Sequence, residues 1–175
     1  MHTLLHRVKV FAEDSYGEEA LRILFSKLYE LGRISAEVHV KVMPGRCNAK
    51  LNRVIEASCH EYDKVVLLID GDGDPETAER REEDHLPREQ GLGAKVELVV
   101  NDYEIEEWIL HALYNEKPGG RKPSERLKEL TNGWYRKRFL PKLIEKIVDD
   151  SEALDKLLRY KAVRKLVNAI SSVQY

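Results

Sequence analysis

Cysteine is scarce. Cys47 and Cys59 are the only two in 175 residues, too few for a disulfide scaffold and without the CxxC spacing of a zinc or redox site. No apolar run approaches the roughly 18–20 residues that a membrane-spanning helix needs. The opening Met1-His-Thr-Leu-Leu-His-Arg7 lacks the hydrophobic stretch and small-residue cleavage site of a signal peptide. No Gly-x4-Gly-Lys-Ser/Thr segment occurs, which argues against a P-loop ATPase. His39, His60, His85 and His111 are scattered and form no i, i+4 ligand pair. These absences predict a reduced, cytoplasmic protein with no membrane partner.

What is present suits a folded chain: 42% of residues are hydrophobic and 34% charged, enough apolar material for a core. The length fits one compact domain. A net charge of −2 hides an asymmetry, because residues 117–175 carry 15 Lys and Arg against 7 Asp and Glu, a balance of +8. The first 116 residues carry 14 against 24, a balance of −10. An acidic front and a basic tail point to cation binding in one part and polyanion contact in the other. The expected division is an α/β domain over 1–116 and a basic helical extension over 117–175, packed on it.

Along the chain, strand and helix signals alternate. Val8–Ala12 alternates and then runs apolar, as a buried strand does, and ends at Glu13-Asp-Ser-Tyr-Gly17. Leu21, Leu24, Phe25, Leu28 and Leu31 follow the stripe of an amphipathic helix, with Gly32 as its C-terminal stop. Ala36–Met43 alternates polar with apolar, Pro44-Gly45 breaks it, and Leu51, Val54, Ile55 and Cys59 mark a second helix. Lys64–Ile69 is the most hydrophobic run and reads as a central parallel strand buried on both faces. After Asp70-Gly-Asp-Gly-Asp74, a highly charged helix is expected from Pro75 to Glu89; Lys95–Val100 reads as a fourth strand, followed by a helix from about Glu104. Beyond Pro118-Gly-Gly120 the signal is wholly helical. This pattern predicts an open α/β sheet of about four parallel strands with right-handed crossovers.

Ligands of open α/β sheets bind beyond the carboxyl ends of the strands. The first strand ends at Glu13 and Asp14, the third at Asp70, Asp72 and Asp74, and the fourth leads to Asp102, Glu104 and Glu106. Carboxylates gathered at one edge repel one another unless a cation intervenes, and hard oxygen ligands select Mg2+ or Mn2+. Plainer readings exist for each motif. Asp-Gly-Asp-Gly-Asp also suits an ordinary turn, and Glu13, Asp14, Glu104 and Glu106 also suit the favourable end of a helix dipole. An EF-hand fails, since Pro75 stands where Gly is needed and Arg81 where Glu is needed. On a helical wheel Glu104 and Glu106 border the Ile105, Trp108, Ile109 stripe, while Glu107 points opposite, toward solvent.

An apolar strand ending in Glu13, a helix, a turn at Gly45 and a strand ending in Asp70-Gly-Asp72 together resemble the Toprim domain, the metal-binding module of topoisomerases, bacterial-type primases and OLD-family nucleases. Glu104-Ile-Glu-Glu-Trp-Ile-Leu110, Lys50 on the helix after the glycine turn, and Tyr135-Arg-Lys137 are similar to elements of short, OLD-related Toprim proteins. The first motif departs from the family's Glu-Gly followed by a second acid, because Gly17 is displaced; Glu18 and Glu19 both remain open for that acid. The resemblance implies a Mg2+- or Mn2+-dependent nuclease acting on DNA or RNA. It implies Glu13 as ligand or general acid/base, Asp70 and Asp72 as metal ligands, and Lys50 as a stabiliser of phosphate charge. Glu104 or Glu106 would complete a second metal's shell, with Asp74 a weaker candidate.

Such a carboxylate cluster repels nucleic acid, so a basic surface is required elsewhere. Arg136, Lys137 and Arg138 are the candidates for backbone contact, followed along the tail by Lys142, Lys146, Arg159, Lys161, Arg164 and Lys165, with Trp134 and Tyr135 beside the triplet to stack on unpaired bases. The competing reading is a non-catalytic Toprim-like binding subunit with a structural metal. A homodimer or a protein partner is compatible with either.

Overall fold

A computed structural model describes residues 6–45, 49–76, 80 and 91–172. Most of the expected Pro75–Glu89 helix, together with Cys47 and His85, lies outside the described residues. The chain is α/β, as the alternating pattern predicts. Strands β1 (Arg7–Ala12), β2 (Glu37–Val42), β3 (Lys64–Asp70) and β4 (Val96–Asn101) form one sheet in the order β2-β1-β3-β4. All three pairings are parallel. Phe11 lies opposite Leu67, and Asp70 opposite Asn101, so β1, β3 and β4 deliver their carboxyl ends to one edge.

Side-chain parity along the strands sorts two apolar layers. Val8, Val10, Ala12, Val66, Leu68 and Val99 face one side, where they join Leu21, Leu24 and Leu28 of α1 (Ser15–Glu30). Phe11, Val65, Leu67, Ile69 and Leu98 face the other and pack on Leu51, Ile55 and Cys59 of α2 (Ala49–Glu61). The apolar run of β3 is therefore buried on both faces, which is why it shows no alternation. Helix α1 begins at Asp14, whose carboxylate accepts the Gly17 N–H at 2.7 Å. It ends where Gly32 takes φ +64° and the Arg33 N–H reaches back to the Leu28 carbonyl at 2.8 Å, a Schellman stop that glycine adopts without strain.

After β4 only helices and turns follow among the described residues. They are α3 (Glu106–Tyr114), α4 (Pro123–Leu130), α5 (Leu140–Asp149), α6 (Ser151–Arg159) and α7 (Lys161–Ser171). Leu140, Ile144, Leu157, Val163, Leu166 and Ile170 belong to the same core as α1 and the sheet. At roughly 1.5–3 kcal/mol for each large aliphatic side chain buried, these contacts join tail and sheet into one cooperative mass. No described helix is long and apolar enough to cross a membrane.

Candidate functional site at the carboxyl edge of the sheet

Glu13 follows β1 directly and Asp70 closes β3, so the register brings their carboxyl groups together across the edge. Both side chains line one hollow, and the Glu13 carboxyl lies close enough to act on Asp70. Burial, followed by the nearby Glu13 charge, pushes the Asp70 carboxyl up to about 7. The Asn101 Nδ2 donates to Asp70 Oδ1 at 3.3 Å, and the Trp108 indole N–H donates to Asn101 Oδ1 at 2.8 Å. That relay fixes the Asn101 amide and with it the Asp70 carboxyl.

Asp72 and Asp74 do not join this pair in one pocket. The Gly71, Asp72 and Gly73 amides donate to the carbonyls of Asn101, Tyr103 and Asp102 at 3.0, 3.1 and 2.7 Å, prolonging the β3–β4 pairing into the loops. Asp72 sits at φ +53° with its side chain exposed. The Asp74 carboxylate accepts the Glu76 N–H at 3.0 Å. A Cβ on Gly71 would run into the Asn101 carbonyl, and one on Gly73 into the Tyr103 ring. The glycines of this motif therefore serve close backbone approach.

Around the Glu13–Asp70 pair lies a hollow of about 20 Å3, also lined by Asp14, Ile105 and Lys137. Lys137 belongs to a short 3-10 turn, Lys137–Phe139. Its ammonium lies 3.4 Å from Asp14 Oδ2 and 3.3 Å from Glu106 Oε2. Burial alone would lower its pKa, but Glu106, Asp14, Asp70 and Glu104 outweigh it and hold the lysine protonated. Within the expected basic triplet, Lys137 is half-buried among carboxylates, while Arg136 and Arg138 stay exposed. Arg136 caps the Gly133 and Tyr135 carbonyls at 2.7 Å, and Arg138 lies over the Phe139 ring, which stacks on Trp134.

The acids of the Glu104–Glu107 segment divide differently from the helical-wheel expectation. Glu107 does not face solvent. It is fully buried and accepts the Asp102 and Tyr103 N–H groups at 3.1 and 2.9 Å, binding the turn after β4. Burial pushes its carboxyl up to about 7 against those donors. Glu106 is also fully buried; it accepts the Tyr135 hydroxyl at 2.9 Å, and burial raises its pKa. Tyr135 is consequently inside and occupied, not free to stack on a base. Glu104 accepts the Ser124 N–H at 2.6 Å, capping α4 from outside, and lies 3.8 Å from the Lys122 ammonium.

Of the remaining candidates, Lys50 stands exposed in the first turn of α2 and does not line the hollow. Glu18 accepts the Val42 N–H at 3.1 Å and pairs with Arg22, tying α1 to β2, and Glu19 is exposed. Asn101 completes the site without a local sequence signal to mark it, while Trp108 and Tyr135 lie in segments that the resemblance singles out but for roles other than orienting Asn101 and Glu106. Among the described residues no group of three or more His, Cys, Asp or Glu side chains is arranged to hold a metal. The pair Glu13–Asp70 nonetheless suits Mg2+, which takes one or two carboxylates and completes its shell with water and substrate phosphate. No family model matches the chain, and neither the curated proteins nor the solved structures provide a match to it.

Proposed function

We propose that the carboxyl edge of the sheet is a Toprim-type site that cleaves phosphodiesters of DNA or RNA with Mg2+ or Mn2+. The observation that carries this reading is the pairing of the Glu13 and Asp70 side chains in one hollow with Asp14 and Lys137, at the carboxyl ends of β1 and β3. Two neighbouring carboxylates are costly when both ionise, and a divalent cation relieves that cost.

Glu13 and Asp70 would hold the ion, with Asp72, two residues beyond Asp70, as a further ligand. Bound there, it would lower the pKa of an attacking water and offset charge on the phosphate. Asn101 and Trp108 keep Asp70 oriented. Lys137, held protonated by its carboxylate neighbours, offers an ammonium to a non-bridging phosphate oxygen as negative charge grows. Tyr135 and Glu106 keep that lysine in place. Arg136 and Arg138 supply exposed cations for the backbone, with the half-exposed Trp134 next to them.

One observation favours the alternative of a non-catalytic binding subunit. The Lys137 ammonium already forms ion pairs with Asp14 and Glu106. Incubation with end-labelled single- and double-stranded DNA and RNA, in Mg2+, Mn2+ or EDTA, separates the two. Metal-dependent cleavage that Glu13→Gln and Asp70→Asn each reduce by at least 100-fold supports the enzyme. Binding without cleavage under every metal condition favours the subunit.

A further inference from the structure

Beyond the other flank of Asn101 lies a second and larger cavity, a cleft of about 840 Å3 between the loops that follow β3 and β4 and the junction of α6 with α7. Its volume falls in the range of pockets that seat a small-molecule ligand, roughly 300–1,000 Å3. Its walls carry opposite charge. On the helical wall stand Lys117, Arg159, Lys161 and Lys165, all exposed, and none forms an ion pair with a described residue. On the strand-end wall stand the carboxylates of Asp74 and Asp102, with Tyr103 between cleft and sheet.

Four cations converging on one concavity repel one another, and helix geometry adds to the strain. Helix α7 opens into the cleft at Lys161 and Ala162, has no side-chain cap and has no acid in its first turn. The positive end of the helix dipole therefore faces Lys161 and Lys165. An anion seated there would satisfy the unpaired amides and offset all the charges at once. The wall opposite is built for donors: a carboxylate accepts hydroxyl or amino hydrogens, and it also drives phosphate back toward the cations. The aromatic groups complete the set. Tyr160 packs against His111 with ring centroids 5.0 Å apart, and His111 Nε2 lies 3.1 Å from the Lys156 carbonyl, which holds both rings at the cleft wall.

We infer that this cleft binds a nucleoside phosphate, its phosphates on Arg159, Lys161 and Lys165 and its hydroxyl or amino donors toward Asp102. The inference does not depend on cleavage at Glu13 and Asp70. The same chemistry is offered by a free nucleotide and by the phosphorylated end of a nucleic-acid strand, and binding measurements distinguish them.

The full chain, in EDTA, is titrated with fluorescent ATP in one arm and with a fluorescent 5′-phosphorylated oligonucleotide in the other, and anisotropy is read. Saturable binding of either probe is expected. The triple variant Arg159→Ala, Lys161→Ala, Lys165→Ala should weaken it at least tenfold. If the strand is the ligand, the slope of log affinity against log salt should flatten by about 0.7 for each strand phosphate that the variant no longer neutralises. A matched variant, Lys41→Ala, Arg53→Ala, Lys128→Ala, removes three exposed cations away from the cleft and should retain parental affinity. The charge-keeping variant Lys161→Arg, Lys165→Arg should also bind, which guards against misfolding as the cause of weakening. Failure of the parent to bind either probe overturns the inference. So does equal binding by the triple variant, or equal weakening in the matched one. Binding that needs the cleft in a protein that cleaves nothing leaves the inference standing and removes the nuclease reading alone.

Discussion

At the scale of single residues, the raised pKa of Asp70 ties stability to pH. The folded chain holds Asp70 near 7, whereas an unfolded aspartate titrates near 3.9. Between those values the folded state binds more protons than the unfolded one, so stability falls as pH rises through about 4 to 7. Glu107, also at about 7, adds a contribution of the same sign. Asp70→Asn removes the first contribution and keeps the shape. Its melting temperature should therefore depend less on pH between 4.5 and 7.5 than the parent's. A shift of one pKa unit corresponds to about 1.4 kcal/mol, and 1 kcal/mol to about 2–4 °C for a domain of this size, so a difference of several degrees is expected by calorimetry in EDTA. Parallel profiles would mean that Asp70 holds no extra proton. With metal present the same linkage predicts that Mn2+ affinity of the parent climbs with pH, by up to about tenfold per unit below 7, as the ion displaces that proton. Glu13 and Asp70 are legible in the sequence because each directly follows an apolar run. Lys137 is not, since its partner Glu106 is distant in sequence and a lysine in a basic triplet looks like surface.

Among the elements, the β3–β4 loops test how closely backbone must approach backbone. Gly71 has the Asn101 and Asp102 carbonyls where a Cβ would go, both of them main-chain atoms that cannot swing aside. Gly71→Ala should cost about 1–3 kcal/mol, the range of an overpacked site. Gly119, with open space around it, serves as a comparison, and Gly119→Ala should stay within about 0.5 kcal/mol of the parent. Urea unfolding of both reads the difference; equal midpoints would show that the turn yields freely. The four strands are readable from pattern: β3 is an unbroken apolar run rich in β-branched residues, and β2 alternates polar with apolar. Helix α3 defeats the helical wheel because the wheel assumes a single apolar face. Trp108, Ile109, Leu110 and Ala112 are all buried, and a helix apolar around its circumference is interior on every side. Leu110, off the stripe, is the signal that Glu107 on that helix is interior too.

For the molecule as a whole, charge and packing divide the chain differently. The boundary at residue 116 separates an acidic part from a basic one, but the core runs across it. Leu24 and Leu28 of α1 and Trp108 of α3 share one apolar cluster with Leu140, Ile144 and Leu157 of the tail. Tyr135 and Lys137 cross the same boundary to reach Glu106 and Asp14. Cutting there would expose the apolar faces of α1 and α3 and leave Glu106 buried beside no cation, a change that a buried charge does not survive. Residues 1–116 alone should therefore fail to give dispersed amide signals and should bind a hydrophobic dye, as collapsed chains without fixed packing do. The full chain should unfold in one transition, with far-ultraviolet dichroism and the fluorescence of Trp108 and Trp134 coincident in urea. The two tryptophans make the comparison informative: Trp108 lies against the sheet and Trp134 is half exposed in the tail. Two separated transitions, the fluorescence of Trp134 changing before that of Trp108, would show that the tail folds apart from the sheet. The carboxylate edge would then keep its structure after Lys137 had left it.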